Sequence, residues 1–212
     1  MPNSRLVYVM DPMCSWCWGF APVAEALVSQ AQAAGVETHV VVGGLRTGGG
    51  AALDPARRAY ILEHWQSVHE LTGQGFAFER ALPDGFVYDT EPACRAVVTV
   101  RHLDAGSTLG IVRLIQQAFY LKGRDVTQAA VLVELAEQAG VPRIEFAQAF
   151  DQAAQIEATS RDFSWVQDLG IAGFPTLLAE RNGQLALLTN GYQHLDQLAP
   201  LLDRWLERGA RL

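Results

Sequence analysis

The chain has 212 residues, half of them apolar and 18 % charged, which fits a soluble globular body or a small domain carrying an insertion and excludes a disordered or fibrous protein. Sixteen basic residues stand against 23 acidic ones, for a net charge of -7, and Lys122 is the only lysine, so no basic stripe exists for a phosphate backbone and nucleic acid is excluded as a partner. No apolar run reaches the roughly 18 residues of a membrane span, and the start of the chain holds neither a signal-peptide core nor a cleavage site, which reads as a cytoplasmic protein.

Leu6-Val7-Tyr8-Val9-Met10 is a short run of β-formers that ends at the turn signal Asp11-Pro12 and reads as a buried strand. Val23, Ala24, Leu27, Val28, Ala31 and Ala34 then recur at helical spacing until Gly35. Pro22 lies inside this stretch, so the spacing predicts either a kink there or a short first turn over 15–20. Val36 to Val42 reads as a second strand, completing a strand–helix–strand unit. From 54 to 168 the pattern is helical, with capping side chains at Asp54-Pro55, Thr90-Glu91-Pro92, Ser107 and Thr127 and a break at Gly140-Val141-Pro142. One or two helices are expected over 145–169. Asn182-Gly183 between the runs 176–181 and 184–189 is the strongest short-range signal for a tight antiparallel hairpin, and a closing helix carries Leu195, Leu198, Leu201, Leu202, Trp205 and Leu206. The β-rich ends are expected to pair into one sheet, giving an α/β fold with a discontinuous domain over 1–53 and 169–212 and a helical insertion over 54–168.

Cys14-Ser15-Trp16-Cys17 is the sharpest feature of the sequence. Three cysteines in the whole chain cannot build a disulfide framework, and in a reducing compartment so sparse a set points to catalysis or metal binding. The pair sits where a strand hands over to a helix. A thiol at a helix N-terminus meets unpaired amides and the positive end of the macrodipole, which favour thiolate over thiol. A spacing of three puts both sulfurs on one side of a helical turn, with Cys14 the exposed nucleophile and Cys17 the resolving thiol. Zinc would need two further ligands, and the five histidines show no paired spacing, so no metal is expected. A structural disulfide and two inert core cysteines stand as further alternatives. Trp16, Trp18 and Phe20 read as a contact surface beside the pair.

Gly173-Phe174-Pro175-Thr176 precedes the hairpin, and the X-Pro bond forces Phe174 into an extended conformation. With the cysteine pair on a strand–helix–strand unit, these residues make the sequence resemble the thioredoxin superfamily, and within it the DsbA-like thiol-disulfide oxidoreductases that carry a helical insertion. The resemblance covers the whole chain. It implies that Cys14 attacks disulfides, that Cys17 resolves, and that Pro175, in cis, stands beside them with Phe174 as the neighbouring backbone contact. Ser15, Trp16, Trp18 and Phe174 are the implied substrate-binding set. Tyr8 to Cys14 followed by Trp18-Gly19-Phe20 is most similar to a cytoplasmic bacterial branch described as disulfide isomerases.

Ser15-Trp16 lacks the histidine that strongly oxidising members place between the cysteines, so a reductase or isomerase is expected in preference to a strong oxidase. The partners implied are disulfide-bearing proteins or small-molecule thiols. No cofactor is expected beyond glutathione as a co-substrate. The same architecture resembles kappa-class glutathione transferases and chromene-carboxylate isomerases, which carry serine in place of the first cysteine; a glutathione-dependent transferase or isomerase is the alternative. The loop Gly43 to Gly50 fits no nucleotide fingerprint and reads as a flexible link, with Arg46 as a candidate contact for a small anion such as glutathione. Cys94, at a helix start, reads as a core thiol. Asp11 is read as a turn former, with a proton relay as the alternative.

Overall fold

The computed structural model describes residues 4–210. Strand β1 (Ser4–Met10), helix α1 (Ser15–Ala33) and strand β2 (Glu37–Val42) form the predicted unit, with β1 and β2 parallel. Strands β3 (Thr176–Arg181) and β4 (Gln184–Asn190) complete a four-stranded sheet of order β2-β1-β3-β4, in which β3 runs antiparallel to both neighbours. Asn182 and Gly183 turn the hairpin with φ of 52° and 79°, the paired left-handed conformation that matches the twist of the flanking strands.

Six helices lie between β2 and β3 in the described chain: α2 (Pro55–Thr72), α3 (Glu91–Leu103), α4 (Thr108–Gln116), α5 (Ala129–Gln138), α6 (Arg143–Phe150) and α7 (Ala153–Asp168). A π-helical turn, Gln117–Leu121, extends α4, and α8 (Leu195–Ala210) closes the fold. Helix α2 begins as its sequence dictates, with Asp54 accepting from the Arg57 N–H, and it ends at Gly73 in the left-handed region. The other expected caps work differently. Thr90 Oγ1 accepts from the Arg46 N–H at 3.2 Å, fastening the glycine-rich loop to α3, while the Ser107 and Thr127 hydroxyls donate to Asp104 and Asp125. Among the described residues no helix is long and apolar enough to cross a membrane.

Alternation along β1 decides the two faces of the sheet. Leu6, Tyr8 and Met10 join Phe20 and Leu27 of α1 and Leu198 and Leu202 of α8, in a cluster that continues into the helices beyond β2 through Trp65, Ile115 and Tyr120. Val7, Val9, Val41 and Leu178 pack the opposite way, with Val166 of α7. On that side Asp162 of α7 accepts from the Val42 N–H at 3.0 Å and from both terminal nitrogens of Arg101 at 2.8 and 3.0 Å. This forked, charge-assisted contact fixes the end of β2, where the chain turns toward the site.

Helix α1 runs as one element through Pro22, so the separate first turn offered as an alternative does not form. Proline has no N–H to give the carbonyl one turn back, here that of Trp18. Gln74, in the loop after α2, supplies the missing donor: its Nε2 lies 2.9 Å from the Trp18 oxygen. The Trp18 indole Nε1 in turn donates to the Gly75 carbonyl at 2.9 Å.

Candidate active site

Cys14 is the N-cap of α1, with extended φ and ψ of -85° and 120°, and Ser15 begins the helix. A side chain there faces N–H groups that have no partner inside the helix, and no acidic residue stands in the first turn to oppose a negative sulfur. Cys14, read from the sequence as exposed, is instead buried at 5 % exposure, because the loop before β3 covers it, and Cys17, one turn on, is fully buried. Burial pushes the Cys17 thiol well above the usual thiol range; hydrogen bonding and charge at Cys14 push the same way, and a hydrogen bond from the Asp11 backbone N–H opposes them. All three cysteines are unpaired.

The loop before β3 stands across from Cys14. The Phe174–Pro175 peptide is cis, and the Phe174 carbonyl oxygen lies 3.8 Å from Cys14 Sγ. Pro175 is buried, and its carbonyl accepts from the Gly191 N–H at 2.7 Å, tying the loop to the end of β4. Ser15, Trp16 and Phe174 are half-buried around the sulfur. Trp18 is not among them. It is buried, stacked on Tyr120 of the π-helical turn at 5.8 Å between ring centroids and bonded to Gly75, so it packs α1 onto the inserted helices, a structural role the sequence reading did not give it. Phe20, also read as surface, is fully buried in the core.

Asp11 organises the turn into the site. Its Oδ1 accepts from the Met13 N–H at 2.8 Å, and its Oδ2 accepts from the Leu45 N–H at 2.7 Å and from the Cys94 thiol at 3.4 Å. Its backbone carbonyl takes the Cys14 N–H at 3.0 Å. Burial raises the Asp11 pKa from the ordinary carboxylate value, and these hydrogen bonds, with one from Thr90, hold it back. Cys94 is a core thiol, pushed upward by burial and by the neighbouring Asp11. Tyr88 closes the floor: its hydroxyl donates to the Met13 carbonyl, and the half-buried Arg46 guanidinium lies 5.2 Å from the centre of its ring. No cluster of three or more histidine, cysteine or acidic side chains suited to a metal occurs among the described residues.

Three residues of the site were not legible as such in the sequence. Tyr192 packs its ring 6.2 Å from that of Trp16 and edge-on to Phe20, extending the aromatic rim. Tyr88 has no motif around it. Gly43 sits in a stretch that reads as a flexible link, yet a Cβ there would overlap the ring of Phe174, the residue whose carbonyl faces Cys14. Gly43→Ala is therefore expected to displace Phe174, lowering stability by about 1–3 kcal/mol as overpacking does. It should also slow the reaction of Cys14 with a peptide disulfide. Urea unfolding and stopped-flow exchange check the two effects, and a variant that matches the parent in both would show that the ring moves aside freely.

No curated protein sequence matches the chain significantly. A family model described as DSBA-like thioredoxin domain matches residues 5–203. Among solved structures, a provisionally named protein disulfide isomerase from Nitrosomonas europaea is 42 % identical, with a TM-score of 0.89 over 97 % of this chain and 98 % of that one. The cytosolic disulfide reductase DsbM from Pseudomonas aeruginosa is 29 % identical with a TM-score of 0.79, covering 96 % and 98 %. The structure of DsbM with GSH gives 28 % and 0.76, covering 98 % and 100 %. The mixed sheet, the cysteine-bearing helix and these likenesses agree on a thioredoxin-like fold with a helical insertion, and the chain belongs to the DSBA-like thioredoxin domain family of thiol-disulfide oxidoreductases.

Proposed function

We propose that the protein is a cytoplasmic disulfide reductase or isomerase that reacts through Cys14 with disulfides of proteins or small molecules. One observation carries the reading: Cys14 caps α1 within 3.8 Å of the Phe174 carbonyl, while Cys17 is buried one turn behind it. The Cys14 thiolate attacks one sulfur of the substrate; that S–S bond breaks, a mixed disulfide forms, and the other substrate sulfur leaves and takes up a proton. Cys17 then loses its proton and attacks Cys14 Sγ, which releases the second substrate thiol and leaves a Cys14–Cys17 disulfide. Two electrons have passed from the dithiol to the substrate. Two thiols of glutathione return them by the reverse exchange and become glutathione disulfide.

The raised pKa of Cys17 supports this division of labour, because a thiol that holds its proton does not compete for the first attack. The name of one relative, a disulfide reductase, supports the direction of electron flow, and the relative solved with GSH supports glutathione as co-substrate. Cys17→Ser tests the scheme. Treated with glutathione disulfide or a peptide disulfide, this variant is expected to accumulate one adduct, which peptide mapping by mass spectrometry places on Cys14. No adduct, or an adduct on Cys94, rejects the scheme.

A further inference from the structure

A cavity of about 340 Å³ lies between α1 and α4, and none of Cys14, Cys17, Phe174 or Pro175 borders it. Its walls are Ala21, Ala24 and Val28 of α1 and Leu109 and Val112 of α4, with Tyr8 of β1 also lining it. The volume falls in the range of small-molecule sites, and the seam between an inserted bundle and its host is a common place for one. An apolar cavity of about 150 Å³ holds benzene, so this one takes a molecule of roughly a dozen non-hydrogen atoms.

The polar groups give the cavity a chemical preference. Gln116, at the end of α4, is only 2 % exposed and lines the space, and its Nε2 has no hydrogen-bond partner. A buried donor left unmet is unfavourable, and an acceptor oxygen on a ligand would satisfy it. At the rim stand Arg113, exposed and without a carboxylate partner among the described residues, and Glu25, also exposed. Glu25 opposes an anion, and Ser29 and Gln32 at the same rim also carry acceptor oxygens. The preference for an anion rests on the enclosed Gln116 Nε2, which only donates and has no partner, with the Arg113 guanidinium beside it. We propose that this cavity is a binding site for a small monocarboxylic acid with an apolar body, an aliphatic or aryl-alkyl acid, separate from the cysteine site.

Calorimetric titration of the full chain with sodium octanoate, sodium 3-phenylpropanoate and octylammonium chloride tests the proposal. Saturable binding of one equivalent of at least one carboxylate is expected, and the pair of acids separates the aliphatic from the aryl source. Octylammonium should bind at least tenfold more weakly. Gly110 supplies a clean block: it lines the cavity, a Cβ built on it meets nothing within 4 Å, and leucine suits a helix better than glycine. Gly110→Leu should fill the space and weaken binding at least tenfold, while its disulfide-exchange rate stays at the parent value. Gln116→Leu should weaken the acids about tenfold, and Glu25→Gln should tighten them severalfold. The proposal is overturned if neither acid saturates, if octylammonium binds as tightly as octanoate, or if Gly110→Leu binds like the parent.

Discussion

Cys14→Ser is expected to bring disulfide exchange down to the uncatalysed level, a loss of at least roughly a thousandfold, in line with removal of a sole nucleophile. The serine hydroxyl fits the N-cap at least as well as the thiol, so the fold should persist and the loss should reside in the chemistry. The rate of reduction of a fluorescent peptide disulfide, with glutathione as reductant, measures it. Cys94→Ser is the matched control: the hydroxyl keeps a donor toward Asp11, so the turn into the site is preserved and activity should remain near that of the parent. Retention of activity by Cys14→Ser would turn the reading toward the glutathione-dependent class, in which a hydroxyl replaces this thiol.

The largest effect on stability is expected at Asp11. Asp11→Ala strands the buried N–H of Met13, at about 1–3 kcal/mol, and takes the acceptor from the N–H of the exposed Leu45, at about 1 kcal/mol, so a loss of roughly 2–4 kcal/mol should appear in urea unfolding. The pH dependence has a definite sign. Burial raises this carboxyl in the folded state, so the folded protein keeps a proton at pH values where the unfolded chain, with a pKa of about 3.9, has released it. The stability tied to that proton is complete below the unfolded value and disappears as pH rises through the raised folded value. Over this window the parent should lose stability relative to Asp11→Asn, which has no proton to release. Urea midpoints collected from about pH 3 to pH 8 read the difference. A parent that gains on Asp11→Asn across the window would mean that the hydrogen bonds outweigh burial and the carboxylate is the stabilised form.

What the sequence made legible was local or periodic. The Cys14–Cys17 spacing, the β-formers of β1, the Asp54-Pro55 start of α2 and the Asn182-Gly183 turn each state their structure within a few residues, and all four appear in the fold. What stayed illegible depends on partners brought in by the fold. Trp18 stands beside the motif as Trp16 does, and only the ring of Tyr120, delivered by the π-helical turn, makes one a packing residue and leaves the other on the rim. Gly43 and Phe174 belong to opposite ends of the chain, so nothing near either one signals that the first must lack a side chain for the second to sit where it does. The Gln116 amide likewise reads as ordinary helix polarity until the wall of α1 encloses it.

Pro22 has a consequence for anyone trimming this scaffold to a minimal redox module. The Trp18 carbonyl borrows its donor from Gln74 and the indole its acceptor from Gly75, so excising the bundle would leave a bare oxygen and a bare ring nitrogen in the first turn of the reactive helix. A miniaturised version would first need Pro22→Ala, restoring the rung from within, and a smaller, apolar residue in place of Trp18.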